Sequence, residues 1–198
     1  MTAVVFDVGN VLIRWDPFAV FPEMPRAEIQ AFFDEVGFLA WNLEQDRGRP
    51  WAEAVGHLSA LYPHRIGLIE RFHADWMRSV IGPVEGTAEI VEALAARGHE
   101  VHAITNFSSE KWEETVGHYP ILKTGFGQVI VSGHEGVVKP DPRIYDLLCK
   151  RAGFKPRDAL FIDDSAMNVA GARALGMAAH QFRDAAGLRA ELQERGLL

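Results

Sequence analysis

Cysteine is almost missing from this chain. Among 198 residues only Cys149 carries a thiol, so no internal disulfide forms, and a reducing cytoplasm is the expected setting. Positive charge is also in deficit: 20 Lys and Arg stand against 27 Asp and Glu, a formal net charge of -7. That balance argues against nucleic acid or an anionic membrane surface as a partner held by bulk electrostatics. An anionic ligand would need a local site. The apolar opening, Ala3-Val4-Val5-Phe6, is far too short to cross a bilayer, and Met1 leads into it with no basic leader or cleavage site. Repeats, low-complexity tracts and long charge blocks are not seen. What is present is a 48% hydrophobic chain, long enough for one good core and a small second lobe.

Val4-Val5-Phe6 reads as a buried strand: short, β-branched and followed at once by Asp7 and Gly9. From Asp16 to about Val80 the pattern turns helical, as in Ile29, Phe32, Phe33 and Val36. The segment Ile81-Gly82-Pro83-Val84-Glu85-Gly86 reads as a bend or hinge. Thr87 is expected to cap a helix with Ile90, Val91 and Leu94 on its apolar face. Val101 to Ile104 and Val129-Ile130-Val131 read as strands, and Asp141-Pro142 as a helix start with Gly153 as its stop. Ala159-Leu160-Phe161-Ile162 is a fourth strand ending in Asp163-Asp164, Ser165 caps the next helix, and Met177 to His180 is a short fifth strand. Strands alternating with helices predict an α/β fold, a Rossmann-like doubly wound parallel sheet with its ligand site at the carboxyl ends of the strands. Asp7, Thr105 and the Asp163-Asp164 pair all fall at such ends, so they are expected to converge, with the loop holding Lys139 beside them.

Two or three carboxylates in one cleft repel each other, and a hard divalent cation is their natural neutraliser, Mg²⁺ by default. Asp7 would then attack a phosphoryl group, giving an aspartyl-phosphate that water hydrolyses. Lys139 and the Thr105 hydroxyl would bind the equatorial oxygens, and Asn106 would orient the loop or a substrate oxygen.

The stretch Phe6-Asp7-Val8-Gly9-Asn10-Val11-Leu12 resembles the first motif of the haloacid dehalogenase (HAD) superfamily, Thr105-Asn106 the second, Lys139-Pro140 the third and Phe161 to Asn168 the fourth. Four motifs in order are a specific signal. The resemblance implies that Asp7 is the nucleophile and that Asp7, Asp164 and the Gly9 carbonyl hold Mg²⁺ with help from Asp163. It implies a small helical cap of four-helix type inserted after the first strand, here residues 16–80, on a core of residues 1–15 and 81–198. Asp-x-Gly-Asn-Val and the loop Gly136 to Pro140 are similar to those of bacterial sugar-phosphate phosphatases. The expected partner is therefore a small phosphorylated metabolite, with a sugar phosphate favoured. Asn10, Trp15, Trp41, Gln45 and Arg47 are candidates to contact it, the last two within a polar turn Gln45 to Arg49, while Ser165 and Asn168 would support the loop or Lys139. His134 is a minor candidate near the cleft.

One position departs from the family pattern. Its phosphatases usually carry a second aspartate two residues after the nucleophile as general acid and base, and here that residue is Gly9. A residue of the insert, Asp16 or Asp46, would have to supply the proton, or else activity is low and biased to good leaving groups. Two other functions stay open: a metal-independent 2-haloacid dehalogenase, to which Asp163-Asp164 would be a handicap, and a low-activity phosphate-binding or regulatory protein.

Overall fold

The computed structural model describes residues 2–198. From β1 (Ala3–Phe6) the chain turns into β2 (Ile13–Trp15) and then runs through α1 (Arg26–Val36), α2 (Phe38–Asp46), α3 (Trp51–Leu61) and α4 (Ile66–Ala74) before returning in β3 (Val80–Pro83). The remainder alternates: α5 (Thr87–Ala96), β4 (Val101–Thr105), α6 (Ser109–Val116), α7 (Ile121–Thr124), β5 (Val129–Val131), α8 (Ser132–Glu135), α9 (Pro142–Ala152), β6 (Ala159–Asp163), α10 (Ala166–Ala174), β7 (Ala178–Gln181) and α11 (Ala185–Glu194). Five strands form one sheet in the order β5-β4-β1-β6-β7, and every pair is parallel. β1 is central, with Val4 opposite both Val101 and Leu160.

Alternation along β1 sets the two layers. Ala3 and Val5 face α9 and α10 through Ile144, Tyr145, Leu148, Val169 and Ala172. Val4 and Phe6 face the other side, with Ile90, Val91 and Leu94 of α5 and Leu188 and Leu192 of α11. Because helices cover both faces, β1 is buried at every residue, which is why it reads as a continuous apolar run. The doubly wound sheet expected from the sequence is the fold observed.

Residues Ile81 to Pro83 differ from the bend that their glycine and proline suggest. They belong to β3, which pairs antiparallel with β2, Ile13 opposite Pro83 and Arg14 opposite Gly82. A two-stranded ribbon tolerates both residues because one edge of each strand has no ladder to satisfy. Thr87 also differs: it is the first residue of α5, and Gly86, left-handed at φ 82°, takes the cap position.

The α1–α4 segment is rich in aromatic contacts, Phe33 stacking on Phe38 at 4.1 Å and Trp41 meeting Trp51 at 5.4 Å, and these side chains are continuous with the core on the Val4 and Phe6 face of the sheet. It is fastened to the sheet layer by polar contacts. Trp51 Nε1 donates to Ser108 Oγ at 2.8 Å, the Trp51 amide donates to Glu110 at 2.9 Å, and the buried Ser132 hydroxyl donates to the Asp46 carbonyl at 2.5 Å. Among the described residues no helix is long and apolar enough to cross a membrane.

Candidate active site

The site lies at the carboxyl ends of β1, β4 and β6, where the strand order departs in opposite directions from β1 and leaves a crevice. Asp7 follows β1 directly. Its Oδ1 accepts from the Val8 amide at 2.6 Å and lies 2.7 Å from Lys139 Nζ. Asp163 ends β6 and is fully buried. Its Oδ2 accepts from Lys139 Nζ at 2.7 Å, its Oδ1 from the Ser165 amide at 2.8 Å, and Asn168 Nδ2 bonds both oxygens at 3.1 Å. One ammonium thus bridges two carboxylates. Asp164 is half-buried beside them, its carbonyl bonded by Gln181 at 3.0 Å. Carboxylate oxygens of Asp7, Asp163 and Asp164 fall within 4.8 Å of one another.

Lys139 is buried and held from several sides. Its Nζ also donates to the Ile104 carbonyl at 3.1 Å. Asn106 clamps its backbone, Oδ1 accepting from the Lys139 amide at 2.8 Å and Nδ2 donating to its carbonyl at 3.1 Å. The orienting work expected of Asn106 is therefore directed at the loop. Thr105 is buried at the end of β4. Ser165 caps α10, accepting from the Asn168 amide at 3.5 Å.

Charge is unbalanced here. Burial holds the Asp7 carboxyl well above the usual carboxylate range; Lys139 opposes that shift and Asp163 adds to it. Burial works against the Lys139 charge, but Asp7 and Asp163 outweigh it and the ammonium is kept. Burial and then Asp163 also raise Asp164, against the pull of Lys139 and a hydrogen bond from Asn10. A single cation among three acids leaves negative charge uncompensated.

A cavity of about 170 Å³ opens on this cluster: Asp7, Gly9, Asn10, Asn106 and Asp164 line it together with Trp15, Asn42, Asp46, Trp76 and Phe107. Asn10 sits at φ 55° and its Oδ1 accepts from the Trp15 amide at 3.0 Å, a left-handed turn that Asn adopts more readily than other side-chain-bearing residues. Trp15 Nε1 and Asn42 Oδ1 are buried without hydrogen-bond partners.

Of the residues expected to contact substrate, Asn10 and Trp15 line this cavity. Trp41 and Gln45 do not. Trp41 turns into the aromatic core and its Nε1 donates to the Ala54 carbonyl at 3.2 Å; Gln45 is fully buried and its Nε2 donates to the Trp41 carbonyl at 2.7 Å. The polar stretch read as a turn is still helix through Asp46, so these two side chains point to the helical core. Arg47 lines a neighbouring depression with Asn106, Lys139 and Asn168 and pairs with Glu44 at 2.7 Å. His134 lies outside the cavity lining, 3.9 Å from Glu113. Asp16 caps the turn at Phe18 and lies 3.6 Å from Arg26. Asn42, Trp76 and Phe107 are lining residues the sequence did not single out. Asn42 stands four residues before Asp46 on one helix face, a spacing that could have flagged it.

Known proteins share this fold. The chain is 32% identical over 121 residues to flavin mononucleotide hydrolase 1 of Arabidopsis thaliana, covering 61% of this chain and 49% of that one. It spans half or less of several curated relatives that it matches. Phosphoserine phosphatase of Thermus thermophilus is 26% identical, covering 90% of this chain and 87% of that one. A HAD family enzyme of Bacteroides thetaiotaomicron, solved with magnesium and inorganic phosphate, shares the fold at a TM-score of 0.70 and 22% identity over 93% of this chain and 95% of that chain. The haloacid dehalogenase-like hydrolase model matches residues 1–176. The chain belongs to the haloacid dehalogenase-like hydrolases.

Proposed function

We propose that the protein is a Mg²⁺-dependent phosphatase acting on a small phosphorylated metabolite, with residues 16–80 as a cap over a core of residues 1–15 and 81–198. The observation that carries this reading is the acid cluster, brought together from two strands remote in sequence to within 4.8 Å. A hard divalent cation fits an all-oxygen donor set, and it would stabilise the ionised forms of Asp7 and Asp164, which burial and then Asp163 disfavour. Asp163 has its acceptor positions occupied by Lys139, Ser165 and Asn168, so its part is to hold Lys139. Asp7, Asp164 and the Gly9 carbonyl would then hold Mg²⁺. When bound, the ion screens the approach of an anionic nucleophile to an anionic phosphoryl group.

The Asp7 carboxylate attacks phosphorus, forming an aspartyl-phosphate as the bond to the leaving oxygen breaks; water then hydrolyses it. Lys139 supplies positive charge beside Asp7, and the Thr105 hydroxyl would supply a donor to the equatorial oxygens. Asn106 and Asp163 keep the ammonium in place. Trp15 and Trp76 give the leaving group flat apolar walls, and Asn42, whose Oδ1 has no partner, gives it a polar one, a mixture that suits a sugar or other small polyol. The single buried thiol accords with a cytoplasmic setting.

Metal-free dehalogenation fits less well, because the carboxylate of a haloacid would approach acids that a single lysine does not balance. The test is a Mg²⁺-supplied panel of phosphorylated sugars, nucleotides and acyl phosphates, with Asp7→Asn beside it. Turnover should vanish in the variant and on chelation. Halide release from a haloacid after complete Mg²⁺ removal, or equal rates for Asp7→Asn and wild type, would refute the proposal.

A further inference from the structure

Glycine at position 9 leaves the leaving group without the acid that the family pattern would put there, and the cavity shows where another comes from. Among the described residues that line it, only Asp7, Asp46 and Asp164 carry titratable side chains. Asp7 and Asp164 belong to the acid cluster. Asp46 reaches the cavity from the end of α2 and is not part of that cluster. We propose that Asp46 is the catalytic general acid, and then the general base, of the reaction at Asp7. This rests on the phosphatase reading above.

Position is the first argument. Asp46 is the last residue of α2, and its carbonyl is fixed to the sheet layer by the buried Ser132 hydroxyl at 2.5 Å. Its Oδ2 accepts from Asn42 Nδ2 at 3.3 Å, and the Ser108 amide also donates to its carboxyl. The side chain is therefore held by Asn42 of α2 and by Ser108 at the start of α6, and among the described residues no ion pair holds it. Surrounding charges are engaged elsewhere. On α6, Glu110 accepts from the Trp51 amide and Lys111 pairs with Glu114; on α8, His134 faces Glu113 and Glu135 pairs with Arg151. Lys139 alone acts on Asp46 through space.

Protonation is the second argument. Burial pushes the Asp46 carboxyl up to about 7, against the Ser108 amide and Lys139. Both forms are then populated near neutral pH, which is what a group that must give and take a proton needs. In the first step an Asp7 oxygen bonds to phosphorus, the bond from phosphorus to the leaving oxygen breaks, and the Asp46 proton passes to that oxygen, releasing a neutral alcohol. In the second, the Asp46 carboxylate takes a proton from water as the water oxygen bonds to phosphorus. The bond to Asp7 breaks, and orthophosphate, the Asp7 carboxylate and the Asp46 acid are regenerated.

The test compares wild type, Asp46→Asn and Asp7→Asn on phenyl phosphate and 4-nitrophenyl phosphate, with Mg²⁺, across pH. In Asp46→Asn, kcat/KM on phenyl phosphate should fall by ~10²-fold or more, as expected for a lost acid. On 4-nitrophenyl phosphate kcat/KM should change far less, while kcat drops and a burst of 4-nitrophenolate precedes slow turnover. The wild-type fall in kcat/KM as pH rises past about 7 should disappear. An equal loss on both esters, no loss on either, or a persisting alkaline fall overturns the assignment. Should the asparagine variant not fold, Asp46→Glu must shift the alkaline fall, and an unmoved profile overturns the assignment too. An active Asp7→Asn would sink the phosphatase reading itself; an inactive one beside a uniformly impaired Asp46→Asn sinks only the role of Asp46.

Discussion

Restoring an aspartate at position 9 tests the site's logic directly. An ideal Cβ built on Gly9 meets no heavy atom within 4 Å, and Gly9 is not among the residues with positive φ. The backbone there accepts a side chain without strain, and the new carboxyl would enter the cavity beside Asp7 and Asp164. Burial and those neighbours would raise its pKa, keeping it protonated near neutrality and competent as an acid. A positioned acid contributes ~10²–10⁴-fold; at 1.36 kcal/mol per tenfold, the lower figure removes about 3 kcal/mol from the barrier. In wild type Asp46 already does this work, so Gly9→Asp alone should raise kcat/KM on phenyl phosphate only slightly. In an Asp46→Asn background the full ~10²-fold should return. Loss of glycine freedom in the unfolded chain adds roughly 0.4–1 kcal/mol of stability, opposed by desolvation of the new group. The assay is steady-state hydrolysis of phenyl phosphate by both single variants and the double variant, with thermal unfolding as a check on folding. A folded double variant no faster than Asp46→Asn would refute the idea that a missing acid limits this site.

Lys139→Met removes the cation that bridges Asp7 and Asp163, both within 2.7 Å. It should cost about 3–5 kcal/mol in denaturant unfolding and abolish turnover, whereas a stable, active variant would contradict the charge balance described. Gly171→Ala places a Cβ 2.8 Å from Pro140 Cβ and 2.9 Å from its carbonyl oxygen, so it should push the Lys139-Pro140 segment aside, lose roughly 1–3 kcal/mol and lower kcat without touching the cavity. An unchanged kcat would show that the loop tolerates the shift. The Asp46 carboxyl is raised by folding, from an ordinary 3.8 to about 7, so its contribution to stability is fully present below the unfolded value and declines as pH rises through the folded one. Melting temperatures of wild type and Asp46→Asn should therefore separate between pH 4 and 7 in favour of the variant; parallel curves would show that the carboxyl is solvated. Saturating Mg²⁺ at ~100 times its dissociation constant should add about 2.7 kcal/mol to stability, and no rise in melting temperature would argue against a metal site.

Much of this was legible in the chain. β1, β4 and β6 are short, mainly apolar runs with a polar residue at or just past the end, and burial on both faces allows little else, so Asp7, Thr105 and Asp163 could be placed at one edge by counting strands. The clamp of Asn106 on Lys139 was also within reach, because motif order brought the two loops together. The β2–β3 ribbon was not: glycine and proline at Gly82 and Pro83 mark a bend unless a partner strand lies alongside.

In and beside the helical segment, packing decides. Asp16 and Asp46 were equal candidates by residue type, as were Trp15 and Trp41 by ring chemistry. Only the tertiary structure decided that Asp46 and Trp15 meet the cavity while Asp16 caps a turn and Trp41 enters the aromatic core. The physical reason is that a strand buried on both faces dictates its own surroundings, so the chemistry at its end is written locally. A helix that carries apolar residues on several sides takes its orientation from the neighbours it packs against, and which polar side chain it then turns toward the cleft is a property of the whole assembly.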